Sequence, residues 1–452
     1  MGMALADLCD RYFPDAFVFA LAAVLLVILA GLALGEAPAT LVAEFGGGFW
    51  ALVPLTMQMM LVIVGGFVVA SSPPFARLIE WLSTLPRTPR AAVGFVALFA
   101  MLTSLLSWGL SLVFTGLLVR EISRRVSGLD HRAIGAAAYL GLGSVWALGL
   151  SSSAAQIQAT KGMLPPALLA ITGVLPFTQT IFLWQSLLTA AILIAVSVTV
   201  ACLSCPPPGR ARTAEQAGIH YEPLVVARRA PGTPGERLDD SPLLGLAVAA
   251  LMLAALGIEI ARKGAIATLD LNTFNFAFLA LGLLLHARPR SFLTAVSKAV
   301  PATSGVLIQF PFYAGIFGII SKTSIATILA GAFVKVSTRG TFPIVVGVYS
   351  ALLGFFIPSG GGKWIVEAPY VMGAANLLRV NLGWTVQIYN AAEALPNLIN
   401  PFWMLPLLGI LNVRARDLAG FSILQLLIHA PIVLFLCWFL ARTLAYVPPV
   451  LN

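Results

Sequence analysis

The sequence predicts an all-helical protein that crosses a membrane many times, and three observations carry that prediction. Only 10% of the 452 residues are charged while 59% are hydrophobic, and the mean hydropathy is +0.94; soluble domains carry about 25% charged residues. Uncharged tracts run over 16–35, 91–119, 133–160 and 162–209, each long enough to span a bilayer, which takes about 18 apolar residues or more. Helix-breaking clusters interrupt these tracts at related positions in the two halves of the chain.

The first tract, 16–35, follows an acidic start in which Asp7, Asp10 and Asp15 outweigh Arg11. A full-length apolar tract behind an acidic segment reads as a retained span, not as a cleaved signal peptide. The formal net charge of +9 is assigned to basic loops held against anionic lipid, not to nucleic-acid binding. Cys9, Cys202, Cys205 and Cys437 lie in or beside apolar tracts, and His131, His220, His286 and His429 are scattered. A lone Cys-x-x-Cys pair is a weak metal or redox signal, and the scattered histidines add no ligand cluster. No cofactor is expected beyond a coupling ion.

Residues 204–240 are the least membrane-like stretch. Pro206-Pro207-Pro208-Gly209, a second Pro/Gly cluster at 230–235, and five arginines against five acids read as a flexible cytoplasmic linker. The linker divides the chain into a first half, 1–203, and a second, 241–452. The halves resemble each other weakly. Gln58-Met59 aligns with Gln309-Phe310, an offset of 309 − 58 = 251, and the same offset carries Trp108-Gly109-Leu110-Ser111 onto Ser359-Gly360-Gly361-Gly362 and Gly149-Leu150-Ser151 onto Asn400-Pro401-Phe402.

Lys/Arg placement orients the spans. The 36–48 loop has no Lys or Arg and is placed outside, with the N-terminus inside; Arg77, Arg87 and Arg90 mark the next loop as inside, and Arg120, Arg124, Arg125 and Arg132 mark the following one likewise. The tract between those two inner loops must enter and leave on one face. Its length suits two half-helices of about 14 residues, ~21 Å each, with a re-entrant tip at 107–111. The matching tract in the second half enters from outside, with its tip at 358–362. That inverts the two repeats and puts Lys322, Lys335, Arg339 and Arg379 outside, against the charge rule. The expected architecture is two inverted repeats with about nine crossings plus two re-entrant hairpins, and a C-terminus outside.

Paired interrupted segments in inverted repeats are the sequence sign of a secondary transporter. A broken helix near the bilayer centre exposes N–H groups that suit a carboxylate and carbonyls that suit Na⁺ or a proton donor. Four breaks are available. The first tip offers Ser107, Trp108, Gly109 and Ser111, and the second offers Ser359, Gly360, Gly361, Gly362 and Lys363. The first broken span, near 149–153, offers Ser151, Ser152 and Ser153, and the second, near 393–401, offers Asn397 and Asn400. These are the candidate substrate-binding residues, and each tip is expected to face the break of its own repeat. Small residues in membrane helices also serve simple close packing. Glu393 is the one acid between Val380 and Val413, and with Ser153 and Asn397 it is the candidate ion-coupling set; it can stay neutral, exchange a proton or bind a cation. Lys363 and Glu367, four apart, can pair on one helix face, or Lys363 can attract an anion. Gln58 and Gln309 are candidate pore-facing groups.

"DRYFPDAFVFA", "GGGFWALVPLTMQM", "VREISRRV", "IQFPFYAGI", "FIPSGGGKW" and "NPFWMLPLLGI" resemble the short-chain fatty acid transporter family, which includes acetoacetate and butyrate uptake permeases. The resembling segments span nearly the whole chain. The resemblance implies a multi-pass protein of the bacterial inner membrane that moves small monocarboxylates with H⁺ or Na⁺. It also implies kinship with the wider ion-transporter superfamily, hence a mobile transport domain, a scaffold, elevator movement and a homodimer. Lys363 and Glu367 stand where the family pattern has histidine and glutamine, and Gly149-Leu150-Ser151-Ser152-Ser153 where it has more glycine. A second reading, transport of dicarboxylates or other organic anions, lacks an arginine at either tip to clamp a second carboxylate. A third, a serine enzyme, lacks both a G-x-S-x-G elbow and a histidine inside the breaks.

Overall fold

The computed structural model describes residues 16–50, 53–159, 161, 164, 166–222, 232–264, 268, 271–325, 328, 335–356 and 360–449. Among the described residues the structure is helical, with no strand. In chain order the helices used below are α1 (Ala16–Ala33), α2 (Pro38–Phe49), α3 (Val53–Ala70), α4 (Pro73–Ser83), α5 (Pro89–Leu106), α6 (Trp108–Arg125), α7 (His131–Leu140), α8 (Ser153–Ala159), α9 (Pro166–Thr172) and α10 (Trp184–Ser204). They continue with α11 (Pro234–Asp239), α12 (Pro242–Lys263), α13 (Leu271–His286), α14 (Pro289–Ala299), α15 (Ser304–Lys322), α16 (Phe342–Phe356), α17 (Gly360–Leu377), α18 (Leu382–Asn397), α19 (Pro401–Leu411) and α20 (Ala415–Ala441).

Six helical stretches among the described residues are long and apolar enough to cross a membrane; a bent pair, α3 with α4 at 78°, makes a seventh. The bend follows from Pro73-Pro74: neither proline offers an N–H, and Ser72 before them is extended. Three further apolar helices, within α1, α13 and α16, are shorter than a full span.

Helix starts recur at one spacing. The starts of α2, α3 and α7 lie 251 residues before those of α14, α15 and α18: 289 − 38, 304 − 53 and 382 − 131. The packing is reciprocal as well. α1 and α2 pack on α15, while α13 and α14 pack on α3; α5 packs on α7 as α16 packs on α18; α6 meets α19 as α17 meets α8.

Each half holds an antiparallel helical hairpin followed by a broken helix. In the first hairpin, Ser111 Oγ donates to the Ala100 carbonyl at 2.7 Å, and Phe99 and Phe114 stack with centroids 5.2 Å apart. Its arms have 18 residues each, longer than the half-helices expected, because the helix runs on to Thr88, whose hydroxyl caps α5, and to the basic end of α6 at Arg124 and Arg125. In the second hairpin the Tyr349 and Tyr370 hydroxyls meet at 3.1 Å. The broken helix after the first hairpin is α7, capped by Asp130, then a π turn (Gly141–Val145), a 3₁₀ turn (Trp146–Leu148), an extended Gly149 and then α8. Its counterpart is α18, capped by Asn381, interrupted at 398–400 and resumed in α19.

The 204–240 segment is not a free tether over its described part. Arg212 N–H donates to Asp130 Oδ2 at 3.0 Å, His131 N–H donates to the Arg212 carbonyl, and the Tyr221 hydroxyl donates to the Leu411 carbonyl at 2.8 Å. Burial works against the Asp130 charge, but Arg132 and the N–H groups of Arg212 and Ala133 outweigh it and hold the carboxyl below its ordinary value. Backbone polar groups of a proline-rich segment need partners when it lies on protein, and helix ends supply them.

Candidate functional site

The first hairpin tip, the first helix break and the start of α17 line a cavity of about 630 Å³. The α5–α6 turn contributes Ser107, Trp108 and Gly109; the first break contributes Trp146, Leu150, Ser151 and Ser153; the start of α17 contributes Gly360 and Gly361. Gln156 of α8, Thr268, then Thr273 and Phe274 of α13, and Trp403 of α19 complete the polar and aromatic lining, and no charged side chain is among the lining residues.

Serines build the first wall by capping backbone. Ser151 Oγ accepts from the Trp108 N–H at 2.9 Å and donates to the Ser104 carbonyl at 2.6 Å, pinning the tip to the break of its own half. Ser107 Oγ accepts from the Leu110 N–H at 3.4 Å, and the intrahelical ladder of α6 opens with Ser111 N–H on the Ser107 carbonyl. Of the four N–H groups a helix start leaves over, Gly109 is the one with no such partner among the described residues, and Gly109 lines the cavity. The Trp146 indole N–H is a second buried donor without a protein partner there.

Other predicted residues stand behind the wall. Ser111 is buried within its hairpin against Ala100. Ser152 Oγ donates to Asn390 Oδ1 at 3.0 Å, and Asn390 in turn donates to Gln387 at 2.7 Å. Asn397 is buried, with the Tyr139 hydroxyl donating to its carbonyl at 2.8 Å. Asn400 donates to the Phe355 carbonyl at 3.1 Å, linking the second break to the second hairpin. Gly362 lies in the first turn of α17, and Ser359 lies outside the described residues. Gln58 and Gln309 do not line the cavity; Gln58 donates to Asn272 at 2.6 Å, and Gln309 is buried.

Lys363 lies one turn behind Gly360 and does not reach the cavity. It is 0% exposed, as is Glu367, and Glu393 is 1% exposed. The ammonium ion-pairs with Glu393, lies 3.6 Å from Glu367 Oε2, donates to the Ser350 carbonyl at 2.7 Å and sits 4.4 Å over the Tyr389 ring. Ser350 Oγ donates to Glu367, and the Tyr389 hydroxyl donates to the Gly360 carbonyl at 2.6 Å. A lysine thus pairs with two acids, one from its own helix and one from α18. Sequence reasoning brought out Lys363, Glu367 and Glu393 but not that they meet, because Glu393 is thirty residues from Lys363 (393 − 363). It missed Tyr389, although Tyr389 stands four residues before Glu393 on one helix face. It also missed Trp146, Phe274 and Trp403, which carry no local signal in an apolar tract.

The apolar helices, the broken spans and an uncharged cavity between them define a multi-pass membrane transport protein. The sequence matches the short chain fatty acid transporter family over residues 1–440, and the chain belongs to that family. Two relatives share the name "Putative short-chain fatty acid transporter". The one from Escherichia coli (strain K12) is 34% identical over 421 residues, covering 92% of this chain and 94% of its own; the one from Haemophilus influenzae is 29% identical over 438 residues, covering 95% and 97%. Among solved structures, the Alcanivorax borkumensis YdaH transporter aligns over 96% of this chain and 100% of its own, with 15% identity and a TM-score of 0.47. The Neisseria gonorrhoeae MtrF structure aligns over 99% and 98%, with 14% identity and a TM-score of 0.42. Family membership makes the chain a transporter and not an enzyme.

Proposed function

We propose that this protein carries short-chain monocarboxylates such as butyrate or acetoacetate across the bacterial inner membrane, coupled to H⁺ or Na⁺. The observation that carries the reading is the cavity: α6 and α17, each 18 residues long, both begin at its wall. Helix N-termini carry partial positive charge and spare N–H groups, which hold a carboxylate without a buried cation. The Gly109 N–H and the Trp146 indole N–H are donors for it, and Trp108, Phe274 and Trp403 give an acyl tail apolar contact. A dicarboxylate leaves its second charge facing a lining with no Lys or Arg, which disfavours it by the cost of a buried unpaired ion.

The recurrence of helices at 251 residues and their reciprocal packing support two inverted repeats, 1–203 and 241–452, joined by 204–240 on the cytoplasmic side. In this reading the two hairpins are re-entrant, the N-terminus is inside and the C-terminus outside, with about nine crossings. The hairpins and broken helices move together against a dimeric scaffold in an elevator motion. Purified protein in liposomes tests the reading: labelled acetoacetate is taken up faster than by protein-free vesicles, and butyrate competes while succinate does not. Uptake no faster than in protein-free vesicles under either an H⁺ or a Na⁺ gradient would overturn it, and competition by succinate would favour the dicarboxylate.

A further inference from the structure

We propose that Lys363, Glu367 and Glu393 form a one-proton site, with the proton carried on Glu367, that couples carboxylate movement to the proton gradient. The proposal rests on the transport reading above and names its coupling ion.

Charge balance is the first argument. Two carboxylates and one ammonium, all buried, sum to −1 when every group is ionised. The cost of an uncompensated buried charge is several kcal/mol, and no other charged side chain compensates it among the described residues. Tyr389 of α18 faces Lys363 through its ring, and Tyr349 of α16 and Tyr370 of α17 stand beside Glu367; phenols add no positive charge. The π turn, α8 and α19 carry no titratable side chain, and His429 of α20 is turned to Ser197 of α10 at 2.8 Å. One bound proton brings the cluster to zero.

Geometry selects the ion and its carrier. A Na⁺ between the two acids would lie against the Lys363 ammonium already there, and like charges at such range repel strongly in a low-dielectric interior. A proton resides on one oxygen and needs no coordination shell. Lys363 ion-pairs directly with Glu393, so Glu393 is its ionised partner. Glu367 Oε2 stands farther off, 3.6 Å from the ammonium; like both Glu393 oxygens it has no hydrogen-bond partner among the described residues, and its looser ion pair makes it the oxygen that takes the proton: Glu367–COO⁻ and H⁺ give Glu367–COOH on one side of the membrane, and the reverse releases H⁺ on the other.

The site is built into the moving parts. Gly354 of α16 has no side chain where a Cβ would lie 2.7 Å from Glu393 Oε2 and 3.4 Å from Lys363 Nζ, so the hairpin backbone closes over the cluster. Tyr389 then ties it to the Gly360 carbonyl at the cavity wall. A charge left on Glu367 disfavours burying the cluster against that wall, whereas the protonated form is neutral. One proton and one carboxylate anion move together without net charge.

The test uses purified full-length protein in liposomes, with labelled acetoacetate as probe and rates in protein-free vesicles subtracted. In the wild type an inward pH gradient stimulates the initial rate and a trapped pH dye records substrate-dependent proton entry, while a Na⁺ gradient does neither. Glu367→Gln loses the gradient stimulation and the dye signal but retains exchange of acetoacetate between preloaded vesicles and medium. Stimulation by Na⁺ without proton entry, or undiminished proton stimulation in Glu367→Gln, overturns the proposal. If the variant does not fold, the infrared spectrum of the wild type decides: a buried protonated carboxyl stretch near neutral pH supports the site, and its absence removes it. Lack of acetoacetate exchange in the wild type would instead defeat the substrate reading, leaving the infrared result to judge the proton site alone.

Discussion

The two hairpin-and-break units share a plan and differ in what they bury. The first, α5 through α8, places serines on its backbone ends: Ser107 caps α6, and Ser151 spans the Trp108 N–H and the Ser104 carbonyl. The second, α16 through α19, buries Lys363, Glu367 and Glu393. Neutral capping leaves the Gly109 N–H of the first unit without a partner among the described residues, at the cavity wall. The charged cluster of the second is the proposed proton site. In the proposed repeat such a division is open to the protein, since one unit can keep the backbone geometry while the other changes side-chain chemistry.

Removing the lysine should expose the difference most sharply. Lys363→Met leaves two buried acids without a cation, a loss of about 3–5 kcal/mol when a buried pair is broken. The expected result is a markedly lower unfolding temperature in detergent, partly restored by adding Glu393→Gln. A Lys363→Met protein as stable as the wild type would mean that both acids are already neutral, and the contrast between the units would fall. In the first unit, Gly149→Ala should cost about 1–3 kcal/mol by overpacking, because its Cβ would fall on the rigid backbone of Leu105. Gly46→Ala, whose Cβ meets nothing within 4 Å, serves as the control and should not destabilise; equal stability of the two variants would show that the break is not tightly packed. The smallest effect is expected from Ser151→Ala, about 1 kcal/mol for its lost hydrogen bonds. It should raise the KM for acetoacetate while leaving the pH-gradient stimulation intact. A changed proton dependence there would show that the two units are not chemically separate.

Much of this was legible in the chain. The membrane class follows from composition, and the hairpin at Ser107 from a charge-free tract bounded by basic residues. Glu393 stands out because an acid in an apolar tract is costly. Other features were not legible. The capping role of Ser151 depends on Ser104 and Trp108 being brought within 3 Å of it. The 204–240 segment read as flexible from its prolines, yet Arg212 and Tyr221 dock on helix ends that composition does not reveal. Gly360 to Gly362 read as a loop tip, but they form the first turn of α17, where close packing of Gly360 against the Trp146 ring offsets the poor helix propensity of glycine.

By itself the sequence determined the solvent of this protein, the positions where its helices break and the identity of its few intramembrane charges, since hydropathy and backbone propensity act over a handful of neighbouring residues. Only the tertiary structure decided which of those positions share a cavity and which stand behind it. Lys363 stands off the cavity wall and joins Glu393 because α17 and α18 pack side by side. A buried charge is set by its partners in space, and residues thirty apart in the chain become partners only once the helices carrying them have packed.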